Sequence, residues 1–81
     1  MTHFEDVIRE AGREQRRVLI QIETKPGGRT YERELEPYAI EGGRLIAFSY
    51  LRNEFRTVEM DEIRRVEVTP RSFSPRRPVD L

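Results

Sequence analysis

The sequence has no cysteine and a single histidine, and these absences exclude whole classes of site. Without cysteine there are neither disulfides nor thiolate ligands for a metal ion. His3 has no nearby partner with which to ligate a metal. The few serines lack a histidine that would activate them as nucleophiles. The sequence therefore predicts a protein that is not an enzyme and that uses no metal or cofactor.

Long apolar runs and an excess of charge of one sign are missing too. No stretch approaches the roughly 20 apolar residues that a membrane span requires. Polar residues follow Met1 directly, where a signal peptide would be apolar. We therefore expect a cytoplasmic protein without a membrane partner. The net charge is zero although 37% of residues are charged, which argues against general electrostatic binding of nucleic acid.

What the sequence has in plenty is arginine, with fourteen residues against one lysine, Lys25. A planar guanidinium holds phosphate or carboxylate through two parallel hydrogen bonds, which an ammonium group cannot do. A GC-rich genome, whose codons favour arginine, explains the same bias without any ligand. The composition alone therefore leaves both explanations open.

An amphipathic helix is predicted over about residues 3–16. Its apolar residues recur at helical spacing and are Phe4, Val7, Ile8 and Ala11. Thr2 and Glu5 have the spacing of an N-terminal capping box, which supports a helix that begins here. The simplest role for the apolar stripe is that of a lid packed on a sheet, and binding of a partner is the alternative.

From Arg17 onward the hydrophobic period changes from 3.6 to 2, which predicts strands. The predicted strands cover residues 18–22, 30–35, 38–40, 44–51, 55–60 and 64–69. Pro37 is expected to break the second ladder, because proline has no N–H to donate. Short strands separated by glycine turns are typical of a small barrel. We predict a mainly β fold with one N-terminal helix, forming a five- to six-stranded SH3-like or Sm-like barrel.

A single domain is expected to use residues 1–81, because too few residues remain for a second core. In this division the helix takes about residues 3–16 and the barrel about residues 17–69. A tight turn, of 3₁₀ type, is predicted at residues 61–63. The tail over residues 70–81 is rich in proline and arginine, and we expect it to be flexible with Phe73 as its one anchor.

Three blocks of this sequence follow one another at a characteristic spacing. They are Arg33, Leu35 and Pro37 in the first block, Leu45, Ala47 and Phe48 in the second, and Arg56, Val58, Met60, Asp61 and Ile63 in the third. In this order and spacing they resemble the WYL domain of bacterial transcriptional regulators and some CRISPR-associated proteins. The tryptophan and tyrosine that give the family its name correspond to Gly43 and Arg44, and Glu62 stands where the family has arginine. The resemblance extends over roughly residues 4–73.

This resemblance implies an Sm-like barrel that senses a ligand and shifts the state of a regulator. It implies single-stranded nucleic acid or a nucleotide as the ligand. It also implies a separate DNA-binding regulator as a partner. Loss of the family's tryptophan and tyrosine places the ligand platform in doubt.

Strand alternation, independently of the family, places two arginines on apolar faces. Arg33 shares a face with Tyr31, and Arg56 shares one with Val58. A charge in such a position is costly unless a carboxylate, carbonyl groups or an anionic ligand meets it. Two converging arginines beside an aromatic ring form a clamp for phosphate with a stacking platform. The alternative is internal pairing with the acidic residues Glu34, Glu36, Glu59 and Asp61.

Two further residues complete the candidate site. Arg44 stands where the family has an aromatic residue and adds charge at the same barrel mouth, unless it is simply a solvated residue after a glycine turn. Tyr50 is either core or platform. The predicted anion-binding set is Arg33, Arg56, Arg44, Tyr31 and Tyr50.

The leading hypothesis is a ligand-sensing regulatory domain that binds a phosphate-bearing ligand, such as single-stranded nucleic acid or a nucleotide. A structural or protein–protein interaction module is the alternative. Such a module would use the barrel edge or the helix, and homo-oligomers are one form of it.

Overall fold

One helix followed by five strands accounts for most of residues 3–81, the part of the chain that the computed structural model describes. The elements are α1 (His3–Arg13), β1 (Arg16–Glu23), β2 (Thr30–Glu41), β3 (Arg44–Ser49), β4 (Glu54–Glu59), a 3₁₀ turn (Met60–Glu62) and β5 (Ile63–Ser72). No helix in this part of the chain is long and apolar enough to cross a membrane. The 3₁₀ turn lies within one residue of its predicted position.

The five strands form one sheet in the order β4-β3-β2-β1-β5, and every neighbouring pair is antiparallel. Val18 of β1, the strand between β2 and β5, lies opposite Leu35 of β2 and Val68 of β5. The predicted mainly β fold with one N-terminal helix is confirmed, and the curved sheet is compatible with a small barrel.

Helix α1 lies on the sheet as a lid. Ile8 is completely buried and Ala11 nearly so, and both belong to the core. The helix ends at Arg13, three residues earlier than predicted, because Gln15 adopts a left-handed backbone conformation (φ 56°) and the chain turns at once into β1. Thr2, half of the predicted capping box, lies outside the described residues.

Strand β2 corrects the prediction that Pro37 would break it. The strand runs on through Pro37, with a register irregularity between Pro37 and Ala39. Pairing of β2 with β1 ends at Leu35, so beyond this residue β2 has β3 on one side only. A proline is tolerated there because β1 does not pair with that edge of β2, so no N–H donor is needed. The hairpin from β2 to β3 then turns through Gly42 and Gly43, both with positive φ as a tight hairpin requires.

The sheet has two unlike faces. The inner face, which α1 covers, carries the main core; the residues of this core that come from the sheet are Val18, Ile20, Ile22, Leu35, Leu45, Ala47, Val58 and Ile63. The outer face carries a smaller aromatic cluster of Tyr38, Phe48 and Phe73. Alternation along each strand divides the side chains between these two faces.

The C-terminal residues pack on the outer face, although the sequence predicted a flexible tail from residue 70. Strand β5 continues to Ser72, three residues beyond the predicted end of the barrel. Phe73 is 6% exposed and its N–H donates to the Gln15 carbonyl, so the predicted anchor is buried. The tail is held because aromatic rings and a buried carboxylate on β2 and β3 meet its arginines, as described below.

Candidate anion-binding site

Arg33 lies on the apolar inner face, as alternation predicted. It stands opposite Ile20 of β1, which is completely buried. Its guanidinium stacks on Tyr31 with the central carbon 4.4 Å from the ring centroid, and Nη1 donates to the Glu32 carbonyl at 2.8 Å. Its Nε is buried and has no hydrogen-bond partner. Arg33 is therefore a cation on an apolar face that no carboxylate of residues 3–81 neutralises.

Arg56 is also on the inner face, opposite the completely buried Ala47 of β3. The side chain is half-buried, and within the described chain it has no hydrogen bond or ion pair. Arg33 and Arg56 form no ion pair with any of the acidic residues considered as internal partners, which are Glu34, Glu36, Glu59 and Asp61. The salt-bridge alternative is thus not realised for either arginine in residues 3–81.

A third polar group lies between the two arginines. Ser49 is completely buried on the same face, and its Oγ has no hydrogen-bond partner among residues 3–81. Ser49 stands opposite Leu35, two residues from Arg33, and its own strand neighbour Ala47 stands opposite Arg56. Each arginine is thus one diagonal step from Ser49, a Cα separation of about 7–8 Å in antiparallel sheets. The arginines flank Ser49 rather than lying side by side.

Tyr31 is brought to this site, but its ring is already engaged. It lies opposite Ile22 on the inner face and is half-buried against the core. Its face is covered by the Arg33 guanidinium. Tyr31 therefore orients Arg33 through a cation–π contact, and the ring face that Arg33 covers is not free to stack a base.

Arg44 is separated from these residues. It lies at the start of β3, and its Nε donates to Glu59 at 2.9 Å across the β3–β4 ladder. Both side chains are largely exposed. Alternation sends Arg44 to the outer face, so the prediction that it adds charge beside Arg33 is corrected in favour of a solvated, paired residue.

Tyr50 also lies on the outer face, where its hydroxyl donates to the buried carboxylate of Glu36 and Arg17 stacks on its ring at 4.5 Å. Burial, followed by the hydrogen bond to Glu36 and the charge of Glu36, raises the pKa of Tyr50 to about 12. Tyr50 is therefore a member of the outer cluster, and the expectation that it belongs with Arg33 is corrected.

Glu36 is the residue that sequence reasoning missed as a centre. Its side chain is 3% exposed and accepts hydrogen bonds from Tyr38 Oη at 2.6 Å, from Tyr50 Oη and from Arg76 Nε at 3.2 Å. Burial is also the main cause that raises the pKa of Tyr38. The sequence showed only a glutamate within a strand pattern. Its partner Arg76 lies forty positions away, so no local pattern connects the two residues.

Two surface clefts within residues 3–81 are lined by residues other than Arg33 and Arg56. One is lined mainly by acidic and glycine residues: Glu5, Gly42, Gly43, Glu59, Met60 and Asp61. The other lies around the loop after β1 and includes Lys25, Asp61 and Arg64. Within residues 3–81 no group of three or more histidine, cysteine or acidic residues is arranged to hold a metal ion. Arg33, Arg56 and Ser49 are here called the arginine patch, and they share the inner face of the sheet.

The fold and this patch define a small β domain that carries unpaired arginines on the face beneath a helical lid. The family model of the WYL domain matches residues 3–68. The chain therefore belongs to the WYL domain family, and the resemblance found in the sequence is confirmed.

A solved structure with a similar fold is that of proteasome accessory factor B/C (PafBC) of Arthrobacter aurescens. The two superpose with a TM-score of 0.75 at 21% sequence identity, over 88% of this chain and 12% of that chain. This chain therefore corresponds to about an eighth of the length of that protein, and the likeness concerns the fold. The search of curated proteins gave no match.

Proposed function

We propose that this WYL domain is a non-enzymatic regulatory module that senses a phosphate-bearing ligand, with single-stranded nucleic acid or a nucleotide as the ligand class. Arg33 and Arg56 hold the anion, and Ser49 adds a neutral donor between them. Membership of the family and the absence of a carboxylate partner for either arginine within residues 3–81 support this proposal. It places the domain in the cytoplasm, acting together with a separate DNA-binding regulator.

The observation that carries the proposal is the pair of buried, unsatisfied polar atoms, Arg33 Nε and Ser49 Oγ. A buried donor without a partner costs about 1–3 kcal/mol, and more when it is charged. An anion bound at this patch gives the guanidinium its missing counter-charge and recovers part of that cost. Charge-assisted hydrogen bonds from guanidinium to phosphate are also about twice as strong as hydrogen bonds between neutral groups.

Two flanking arginines separated by Ser49 suit a ligand with more than one phosphate. Each arginine is about one diagonal step from the serine, so together they extend over a length of sheet rather than a single point. A nucleic acid strand offers successive phosphates along its backbone, and this extended arrangement favours it over a single free phosphate. Because Tyr31 is covered by Arg33, binding is expected to depend on the backbone more than on base stacking.

The test is fluorescence anisotropy of a short, 5′-phosphorylated, fluorescently labelled single-stranded DNA at low and high salt. Arg56→Ala is expected to weaken binding about ten-fold and to reduce the salt slope by about 0.7, the contribution of one single-strand phosphate contact. Arg44→Ala is the matched control, because it removes the same charge from an exposed arginine paired with Glu59. Equal losses in the two variants would show unspecific attraction and contradict the clamp.

A protein–protein interaction module remains the second candidate, and one observation favours it. The linear strand order leaves β4 and β5 at the two edges of the described sheet, and Phe55 on β4 and Val68 on β5 are 38% and 41% exposed. Such edges can pair with a strand of a second copy. Absence of DNA and nucleotide binding, together with a concentration-dependent dimer in analytical ultracentrifugation, would favour this candidate over the sensor.

A further inference from the structure

Residues 74–81, here called the C-terminal strap, lie along the outer face and bend at residues 76 and 77. The Asp80 N–H donates to the Tyr38 carbonyl at 2.7 Å, and Asp80 forms a parallel bridge with Ala39. The Arg76 N–H donates to Tyr38 Oη at 2.8 Å. The strap is thus joined to the edge of β2 by one parallel bridge and two hydrogen bonds.

This edge of β2 is open because of the register of the sheet. Pairing with β1 ends at Leu35, so residues 38–40 have only β3 as a regular neighbour. A strand edge presents unpaired N–H and C=O groups that another extended chain can satisfy. The strap meets that requirement within the same chain.

The face beside the edge is built to accept guanidinium groups. Arg76 lies 3.7 Å above the Phe48 ring, and its Nε reaches the buried carboxylate of Glu36. Arg77 lies 4.0 Å above Phe55. Flat cations stack on aromatic faces, and a desolvated carboxylate selects a positive partner. Two arginine subsites therefore lie beside one strand edge.

The strap buries little apolar surface of its own. Its residues from Ser74 to Pro78 are exposed, and only Val79 and Leu81 are half-buried apolar residues. Leu81 lies over Gly12, where a Cβ would come within 2.0 Å of its Cδ1. Segments with little buried apolar surface open at a smaller free energy than the whole domain. We therefore expect the strap to open at a smaller free energy than the sheet.

From these observations we infer that the outer face beside residues 38–40, which carries Glu36, Phe48 and Phe55 and is here called the groove, is a docking site for an arginine-bearing peptide segment of a partner protein. The strap is the resident occupant of this groove within the chain. Recognition combines main-chain pairing at residues 38–40 with guanidinium stacking on Phe48 and Phe55, which is strand addition with side-chain pockets. A nucleic acid does not fit this chemistry, because the Glu36 carboxylate repels phosphate and a strand edge pairs only with a peptide backbone.

The experiment titrates a fluorescently labelled peptide with the sequence of residues 73–81 into the full chain. Arg76→Ala combined with Arg77→Ala in the chain weakens the resident occupant but leaves the groove intact. This variant is expected to bind the peptide about ten-fold more tightly than the unaltered chain, because a larger fraction of grooves is free. A peptide with lysine at both arginine positions keeps the charge, loses the flat stacking group and is expected to bind several-fold more weakly.

A second measurement needs no variant. Addition of the unlabelled arginine peptide to the unaltered chain is expected to speed hydrogen exchange at the Asp80 amide, because the strap is displaced, and to leave the amides of β1 unchanged. Equal binding of the arginine and lysine peptides, or an Asp80 amide that does not respond, would overturn the inference. The inference would also be overturned if the variant with Arg76→Ala and Arg77→Ala bound single-stranded DNA but not the peptide. A dimer in which two chains exchange straps, detected by size-exclusion chromatography, would overturn it as well.

Discussion

Arginine residues form ion pairs on the outer face of the sheet, whereas two arginines on its inner face form none within residues 3–81. On the outer face, Arg71 forms two hydrogen bonds with Glu34, and Arg76 reaches Glu36. On the inner face, Arg33 and Arg56 form no ion pair with any residue from 3 to 81. The difference arises in β2, where alternation sends the glutamates at 32, 34 and 36 outward and Arg33 inward.

This comparison separates arginines that complete the fold from arginines left for a ligand. An outer arginine replaces lost hydration with a carboxylate and an aromatic ring, so its charge is balanced within the chain. An inner arginine stands against apolar residues without that balance. Balanced charges are expected to contribute to stability, and unbalanced ones are expected to cost stability until an anion binds.

The largest effect is expected from Glu36→Ala, which removes the buried carboxylate of the outer face. The substitution leaves two tyrosine hydroxyls and Arg76 without their common acceptor. We expect the free energy of unfolding in urea to fall by about 2–4 kcal/mol. Glu34→Ala is the control, because Glu34 is more exposed and its loss is expected to cost about 1 kcal/mol or less. Equal losses would show that Glu36 is not the centre of this face.

The inner face is expected to respond in the opposite direction. Arg33→Met removes a cation from the apolar surface and keeps most of the side-chain volume. We expect the free energy of unfolding to stay equal or to rise by about 1 kcal/mol, while binding of single-stranded DNA weakens. Urea unfolding and anisotropy measure the two quantities. A clear loss of stability would show that the contact with Tyr31 balances the charge of Arg33 within the chain.

A pH effect is expected from the outer face alone. The pKa of Tyr50 is about 12 in the folded protein and about 10 in the unfolded chain, so the folded state retains the phenolic proton more firmly. The resulting stability is complete below pH 10 and is lost as the pH rises toward 12. Tyrosinate absorbance is expected to show a late step near pH 12 that Tyr50→Phe removes. A single step near pH 10 in the folded protein would contradict the buried hydrogen bond to Glu36.

The smallest effect is expected from Arg44→Ala. Arg44 and Glu59 are both largely exposed, and surface ion pairs contribute about 0–1 kcal/mol. We expect both urea stability and DNA binding to change very little. A large loss of binding would place Arg44 in the ligand site and remove the distinction between the two faces.

Local patterns in the sequence were enough for much of the architecture. The stripe around Ile8 predicted the helix, and the glycine pair at 42–43 predicted the tight hairpin. Alternation placed Arg33 beside Tyr31 on the inner face. Alternation along the predicted strand over residues 44–51 also puts Arg44 and Tyr50 on one face. It does not tell on which face they lie relative to Arg33, because the relation between strands depends on register.

By itself the sequence determined the helix, most of the strands and the side of β2 on which its charges fall, since these follow from periods of a few residues. The family followed from three blocks of matching residues in the right order. Only the tertiary structure decided that β2 continues through Pro37, because tolerance of the missing N–H depends on the absence of β1 at that point. The tertiary structure also decided which arginines have a carboxylate partner within the described chain. Glu36 and Arg76 lie forty positions apart, and no local period predicts a contact that long-range packing creates.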